Sequence, residues 1–394
     1  MTSDRWSLFR LVLRRTSGVL IGTVVLGLAA CSGGGGDGDG AQASASASGG
    51  VGKGVDAASV RNDVYDFESD ALAGNYLGMS NHISIGVLLP SGYDESGDRY
   101  PVVYFLPGFT SYENATTMPG EIGDASSAAG IILVTIIGAN ELGGGWYTNS
   151  DASGHWEQAI VDEIVPFVDA NYRTVATRDG RGLAGHSMGG YGSFTIGMNN
   201  ADVFGAVYVM APAITGADGV EVPALFGSTG RASAVLEAMA RLEGLDGPEV
   251  LDAMVSSPYS FEFSYGTAVA PDDEPPYFRY PYALVDGSVV RDDDVFAAWQ
   301  AGLGNVDTEI AEHLDDLLSL TALGLDCGSN DELRWIWEGC GFLDESLTSA
   351  GVPHEYTVHD GTHTGRLPER LRHAMIPFFA DAFAGVGVGL GVGE

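Results

Sequence analysis

Short apolar runs bounded by turn residues recur along the chain, at 83–89, 102–106, 131–137, 182–186, 206–210, 320–326 and 355–358. Runs of this length, framed by Gly, Pro, Asn and Asp, have the pattern of buried strands. Helical periodicity fills the spaces between them. Residues 156–170 set Ile160, Ile164 and Val168 on one face and turn Glu157, Asp162 and Glu163 away; 191–199, 332–350 and 367–383 are similar. Strands alternating with helices predict an α/β fold, a mostly parallel sheet with helices on both faces.

One stretch, 213–318, breaks the alternation. Helices are expected at 232–242, 248–255, 294–301 and 308–318, with an aromatic run between them: Phe261, Phe263, Tyr265, Tyr277, Phe278, Tyr280 and Tyr282. Pro275, Pro276 and Pro281 make that run irregular. Such an insertion, placed before the strand at 320–326, would lie over the carboxyl edge of the sheet, where ligands of α/β folds bind. Two readings stay open: a satellite core under long loops, and a lid shaping an acyl or aryl pocket.

The two ends of the chain follow neither pattern. Arg5, Arg10, Arg14 and Arg15 form a basic start, and 19–30 is apolar but short for a bilayer span. The stretch closes on Leu28-Ala29-Ala30-Cys31, which resembles the bacterial lipobox, a signal cut before a cysteine that then carries lipid. On that reading 1–30 is a lipoprotein signal peptide and Cys31 the lipidation site; an ordinary secretory signal is the alternative. Arg14-Arg15 hints at the twin-arginine route, with flanking residues that match poorly. Residues 31–59, rich in Gly, Ser and Ala, read as a flexible tether, and 385–394 as a low-complexity tail. The folded body is expected over 60–384, exported and lipid-anchored to a bacterial cell envelope, at its periplasmic or outer surface. In that setting Asn114-Ala115-Thr116 loses its meaning as a glycosylation site.

Composition narrows the partners. The 394 residues suffice for a large core, but 53 Asp and Glu face 18 Lys and Arg, a net charge of −35, and Lys53 is the sole lysine. Such a surface repels phosphate backbones and anionic membranes, so nucleic acid is excluded as a partner and membrane contact falls to the lipid at Cys31. The acidity reads either as a solubilising surface or as adaptation to salt. Beyond Cys31 the chain has two cysteines, Cys327 and Cys340. In an oxidising compartment they can pair, for about 2–3 kcal/mol by the chain-entropy model; two buried thiols are the alternative. No second Cys or His cluster accompanies them, which speaks against zinc.

The candidate chemistry sits at Gly185-His186-Ser187-Met188-Gly189, after an apolar run and before a helical stretch. A strand that turns sharply into a helix holds a serine hydroxyl at the top of a sheet, with glycines where a β-carbon would clash. A serine needs a base to take its proton and an acid to orient that base, in the chain order Ser, acid, His. The run 320–326 leads into Cys327-Gly328-Ser329-Asn330-Asp331, and the final run into His359-Asp360-Gly361-Thr362-His363. Asp331 and Asp326 compete as acid; Asp331 is favoured because a loop position gives reach. His363 competes with His359 and His354 as base and is favoured because it follows a glycine turn. The three histidines match no standard metal spacing. For the oxyanion hole, the N–H groups of Met188 and of Phe109, in Pro107-Gly108-Phe109-Thr110, are the candidates. No cofactor is expected.

At these residues the chain resembles the Putative esterase family of α/β hydrolases, which includes esterase D, feruloyl esterases and the mycobacterial mycolyltransferases. The resemblance rests on Ser91-Gly92-Tyr93-Asp94, residues 100–109, Trp146-Tyr147-Thr148-Asn149-Ser150, Trp156-Glu157, Asn171-Tyr172-Arg173-Thr174, residues 185–192 and Gly361-Thr362-His363. It covers roughly 66–211 and 320–380. It implies the α/β-hydrolase fold, Ser187 as nucleophile, Asp331 as acid, His363 as base, and Phe109 and Met188 as oxyanion donors. Pro107 stands where many members have His, which leaves the backbone donor in place. The implied activity is hydrolysis of a carboxylic ester, of a small molecule or a glycan, through an acyl-enzyme. Acyl transfer of the mycolyltransferase type, or a non-catalytic ligand-binding surface protein on the same fold, are the alternatives.

Overall fold

The computed structural model describes residues 60–386 except 112–113, with 114–121 described by backbone alone. The expected signal peptide, Cys31, the tether to residue 59 and the tail from 387 lie outside the described residues.

Eight strands form one sheet: β1 (Asn62–Glu68), β2 (His82–Leu88), β3 (Val102–Leu106), β4 (Ile132–Ile136), β5 (Arg181–His186), β6 (Ala206–Met210), β7 (Ala322–Gly328) and β8 (Glu355–His359). Their spatial order is β1-β2-β4-β3-β5-β6-β7-β8. The β1–β2 and β2–β4 pairs are antiparallel and all later pairs are parallel. Strand β1 has no counterpart among the expected apolar runs. It is an edge strand whose Asp66 and Glu68 face solvent, while Tyr65 and Phe67 pack edge-on against Phe167.

The central strands are apolar on both faces because helices cover both. From β3, Val103 and Phe105 join Met375, Ile376 and Phe379 of the C-terminal helical segment. Val102, Tyr104 and Leu106 point to the other side, toward Ile160, Ile164 and Phe194. The stretch 156–171 is helical throughout, with a π-helical middle at Ala159–Ile164. Its Glu163 does not turn away to solvent as expected: it accepts hydrogen bonds from the Ser69 hydroxyl (2.6 Å) and the Ala71 N–H (2.8 Å).

The insertion is mostly helical, at Thr229–Met239, Pro248–Val255, Ser260–Val269, Asp293–Leu303, Val306–Glu312 and Leu314–Ser319. Ser228 and Asp292 cap two of these helices by accepting N–H groups of the first turn. Two differences from expectation stand out. Phe261, Phe263 and Tyr265 lie on the helix Ser260–Val269 rather than in an irregular run. A hairpin, Tyr282–Val285 with Ser288–Arg291, turns at Asp286-Gly287, both at positive φ. The insertion's apolar side chains are continuous with the core of the sheet, so it is packed as part of one body rather than over loops.

Candidate active site

Strand β5 ends at His186 and the helix Met188–Asn199 begins one residue after Ser187. Ser187 is the corner, at φ 60° and ψ −117°, a conformation that a residue with a β-carbon adopts only under strain. The surroundings enforce it. The Ser187 N–H donates to the Met210 carbonyl (3.0 Å), and the Ser187 carbonyl accepts from Tyr191 (3.0 Å) and Ala213 (2.9 Å). The flanking glycines have no room for a side chain: a β-carbon on Gly185 would lie 1.9 Å from the Gly189 carbonyl oxygen.

Two more strand ends complete the site. Past β7, Asp331 turns back through its N–H to the Gly328 carbonyl (3.1 Å), and one carboxylate oxygen accepts the Leu333 N–H (2.8 Å). Past β8, the loop carrying His363 is stitched to this turn. Ser329 N–H donates to His359 (2.8 Å), and Asn330 donates through its backbone to Gly361 (3.1 Å) and through its side chain to Asp360 (2.8 Å). His363 then bridges: its Nδ1 lies 2.7 Å from Asp331 Oδ2 and its Nε2 2.9 Å from Ser187 Oγ. Since the carboxylate can only accept, Nδ1 carries the proton and Nε2 is left to take one from the serine. Asp331 is buried, which keeps water from competing for that bond.

The competing candidates are engaged elsewhere. Asp326 accepts from the Tyr208 hydroxyl (2.7 Å) and pairs with Arg370 (2.8 Å). His359 faces Asp326 at 3.9 Å, and its Nδ1 accepts the Gly361 N–H. His354 pairs with Asp344 at 3.0 Å. The three histidines thus turn to three different partners and gather around no common point. Cys327 and Cys340 are joined as a disulfide, which closes a loop containing Asp331.

The loop after β3 runs directly against the nucleophile: a β-carbon on Gly108 would lie 3.2 Å from Ser187 Cβ. This places the backbone of Gly108 beside Ser187, and Met188 heads the helix that follows the serine. The Phe109 ring joins an aromatic wall. Its centroid is 5.9 Å from Trp146 and 5.5 Å from Phe261, and Trp146 packs edge-on against Tyr265 (5.1 Å) and Tyr191 (6.3 Å). The Ser264 hydroxyl ties the insertion to this wall, accepting from Trp146 Nε1 (2.9 Å) and donating to the Gly144 carbonyl (2.6 Å).

Two residues escape sequence reasoning. His186 Nε2 lies 2.9 Å from the His363 carbonyl oxygen, and the two rings are 4.7 Å apart. Burial, with the neighbouring His363 adding to it, lowers the His186 imidazole to about 3. Glu332 Oε2 accepts the His363 N–H at 3.1 Å. Only the position of His186 inside the serine motif could have pointed to it.

A family model described as "Putative esterase" matches residues 78–254. An esterase of Mycobacterium tuberculosis is 34% identical over 134 residues, 33% of this chain and 27% of that protein. An endo-1,4-beta-xylanase/feruloyl esterase of Xylanibacter ruminicola is 25% identical over 171 residues, 39% of this chain and 23% of that protein. The chain thus spans about a quarter of the length of these curated relatives. Among solved structures, a ferulic acid esterase superposes with a TM-score of 0.53 at 20% identity, covering 82% of this chain and 98% of that one. An S-formylglutathione hydrolase from Agrobacterium tumefaciens gives 0.50 at 15% identity, covering 83% and 97%. By strand order, by the serine corner and by these superpositions, the chain has the α/β-hydrolase fold, and over residues 78–254 it is similar to the Putative esterase family.

Proposed function

We propose that the chain is a serine carboxylic ester hydrolase. The observation that carries this reading is the unbroken hydrogen-bonded line Asp331–His363–Ser187, with its 2.7 and 2.9 Å links. His363 Nε2 takes the hydroxyl proton as Ser187 Oγ attacks the ester carbonyl. Asp331 holds the imidazole in the required tautomer and stabilises its protonated form. The oxyanion that forms is held by the N–H groups of Met188 and Phe109. His363 then returns the proton to the leaving alcohol, and a water activated by the same imidazole releases the acid. Of possible acyl groups, phenolic acids suit the part-exposed rings of Phe109 and Phe261, and the endo-1,4-beta-xylanase/feruloyl esterase relative supports that choice.

Hydrolysis of short p-nitrophenyl esters tests this. Wild type should exceed Ser187→Ala by several orders of magnitude; a wild type no faster than that variant would overturn the reading. Ser187→Ala with His363→Ala should lose about as much as either change alone, because the two act as a unit.

Export is a second part of the proposal: the basic start, the short apolar run and Leu28-Ala29-Ala30-Cys31 support cleavage before Cys31 and lipidation there. The protein should then fractionate with membranes, and Cys31→Ser should release it. A wild-type chain found wholly in the soluble fraction would remove the anchor.

A further inference from the structure

The base sits beyond the edge of the sheet. His363 follows β8, a strand paired on one side only, and residues 360–366 have no regular secondary structure. Thr362 and Thr364, on either side of it, are exposed. Yet the proton transfer needs His363 Nε2 held within hydrogen-bond reach of Ser187 Oγ. The Asp331 carboxylate restrains the ring but not the peptide to which it is attached.

The main chain of His363 is held from both sides. Its N–H donates to Glu332 at the exposed surface (3.1 Å), and its carbonyl faces His186 in the interior (2.9 Å). A carbonyl can only accept, so His186 Nε2 carries a proton. His186 is buried, and it is the residue directly before Ser187. The bond therefore links the loop of the base to the strand that carries the nucleophile, bypassing the edge strand. A neutral ring suits this place, because a charged one 4.7 Å from His363 would oppose protonation of the base.

We infer that His186 is a positioning residue, whose Nε2–H fixes the main chain of His363 and so sets the distance between base and nucleophile. The inference rests on the esterase reading. Losing the bond leaves substrate binding intact and loosens the proton transfer, so the loss falls on kcat.

Two substitutions separate the hydrogen bond from the packing. His186→Phe keeps a ring against His363 and removes the donor. His186→Gln gives up the ring and keeps an N–H near the place of Nε2. The Phe variant should lose roughly ten- to a hundredfold in kcat with KM little changed, and the Gln variant should recover most of it. Equal activities, or a Phe variant better than the Gln variant, would overturn the inference. If the Phe variant does not fold, His186→Asn replaces it, since its amide is too short to reach the carbonyl. The readout is then the rate at which a fluorophosphonate probe labels Ser187: Gln fast and Asn slow supports the role, and equal rates reject it. A wild type without Ser187-dependent hydrolysis would instead reject the esterase reading itself.

Discussion

Gly189 packs directly on the end of β3: a β-carbon on it would lie 1.7 Å from the carbonyl oxygen of Leu106. The serine corner and the Pro107-Gly108-Phe109 loop therefore meet backbone to backbone, with no side chain between them to give way. Gly189→Ala should push the two apart, separating the Met188 and Phe109 N–H groups. We expect a stability loss of about 1–3 kcal/mol, typical of overpacking, and a larger fractional loss of kcat. Gly230→Ala is the control, because its nearest neighbour would be 3.9 Å away. Thermal melts and ester hydrolysis on both variants check this, and an active, stable Gly189→Ala would refute the contact.

Asp326 and Asp331 should fail in different ways. Asp326 is buried with Arg370 and Tyr208, so Asp326→Asn leaves Arg370 without its counter-charge and should cost about 3 kcal/mol of stability. The folded fraction should keep its kcat. Asp331→Asn should leave the melting temperature nearly unchanged and lower kcat by about 10⁴-fold, because the tautomer of His363 is no longer fixed. The reverse pattern would exchange the two assignments.

Acid should weaken the fold through His186. Its imidazole is lowered to about 3, whereas a histidine in the unfolded chain titrates near 6.5. Between those values the unfolded state binds a proton that the folded state refuses. Stability therefore falls as pH drops through the window, by about 1.4 kcal/mol per pH unit from this group. Burial lowers His359 in the same sense, and it raises Glu262, whose contribution has the opposite sign. The difference between wild type and His186→Gln isolates the one residue: the variant should show a shallower dependence in denaturant titrations between about pH 4 and pH 6. Parallel dependences would contradict a neutral, buried His186.

The Cys327–Cys340 disulfide brackets the turn that carries Asp331, with a sequence separation of 13. Reduction should lower stability by about 2–3 kcal/mol and take activity with it, as the acid turn loosens. Melts and rate measurements with and without reductant, with thiol alkylation to confirm opening, test both halves. A reduced protein with an unchanged melting temperature would sink the idea.

The sequence made the central strands legible because β3 to β7 are buried on both faces and read as mainly apolar runs, with few polar residues such as Thr135 and Asp326 among them. Strand β1 stayed hidden for the converse reason: half of its side chains face water, and charges interrupt its alternation. The helix Ser260–Val269 was obscured by its composition. Phe261, Phe263 and Tyr265 favour strands locally, and packing against Trp146 and Phe278 overrides that preference. Ser187, Asp331 and His363 follow from chain order and turn residues. His186 does not, since its role depends on a carbonyl 177 residues away, and a main-chain acceptor leaves no mark in sequence.

The Ser264 hydroxyl, bonded at once to Trp146 and to the Gly144 carbonyl, has a kinetic consequence. Both bonds are buried, and lifting the helix Ser260–Val269 would strip them and expose the rings of Phe261 and Tyr265. The insertion cannot swing clear as a hinged cap at small cost. Ser187 is part-exposed with that helix in place, so rates on soluble esters should saturate smoothly, with no jump when the substrate begins to form micelles.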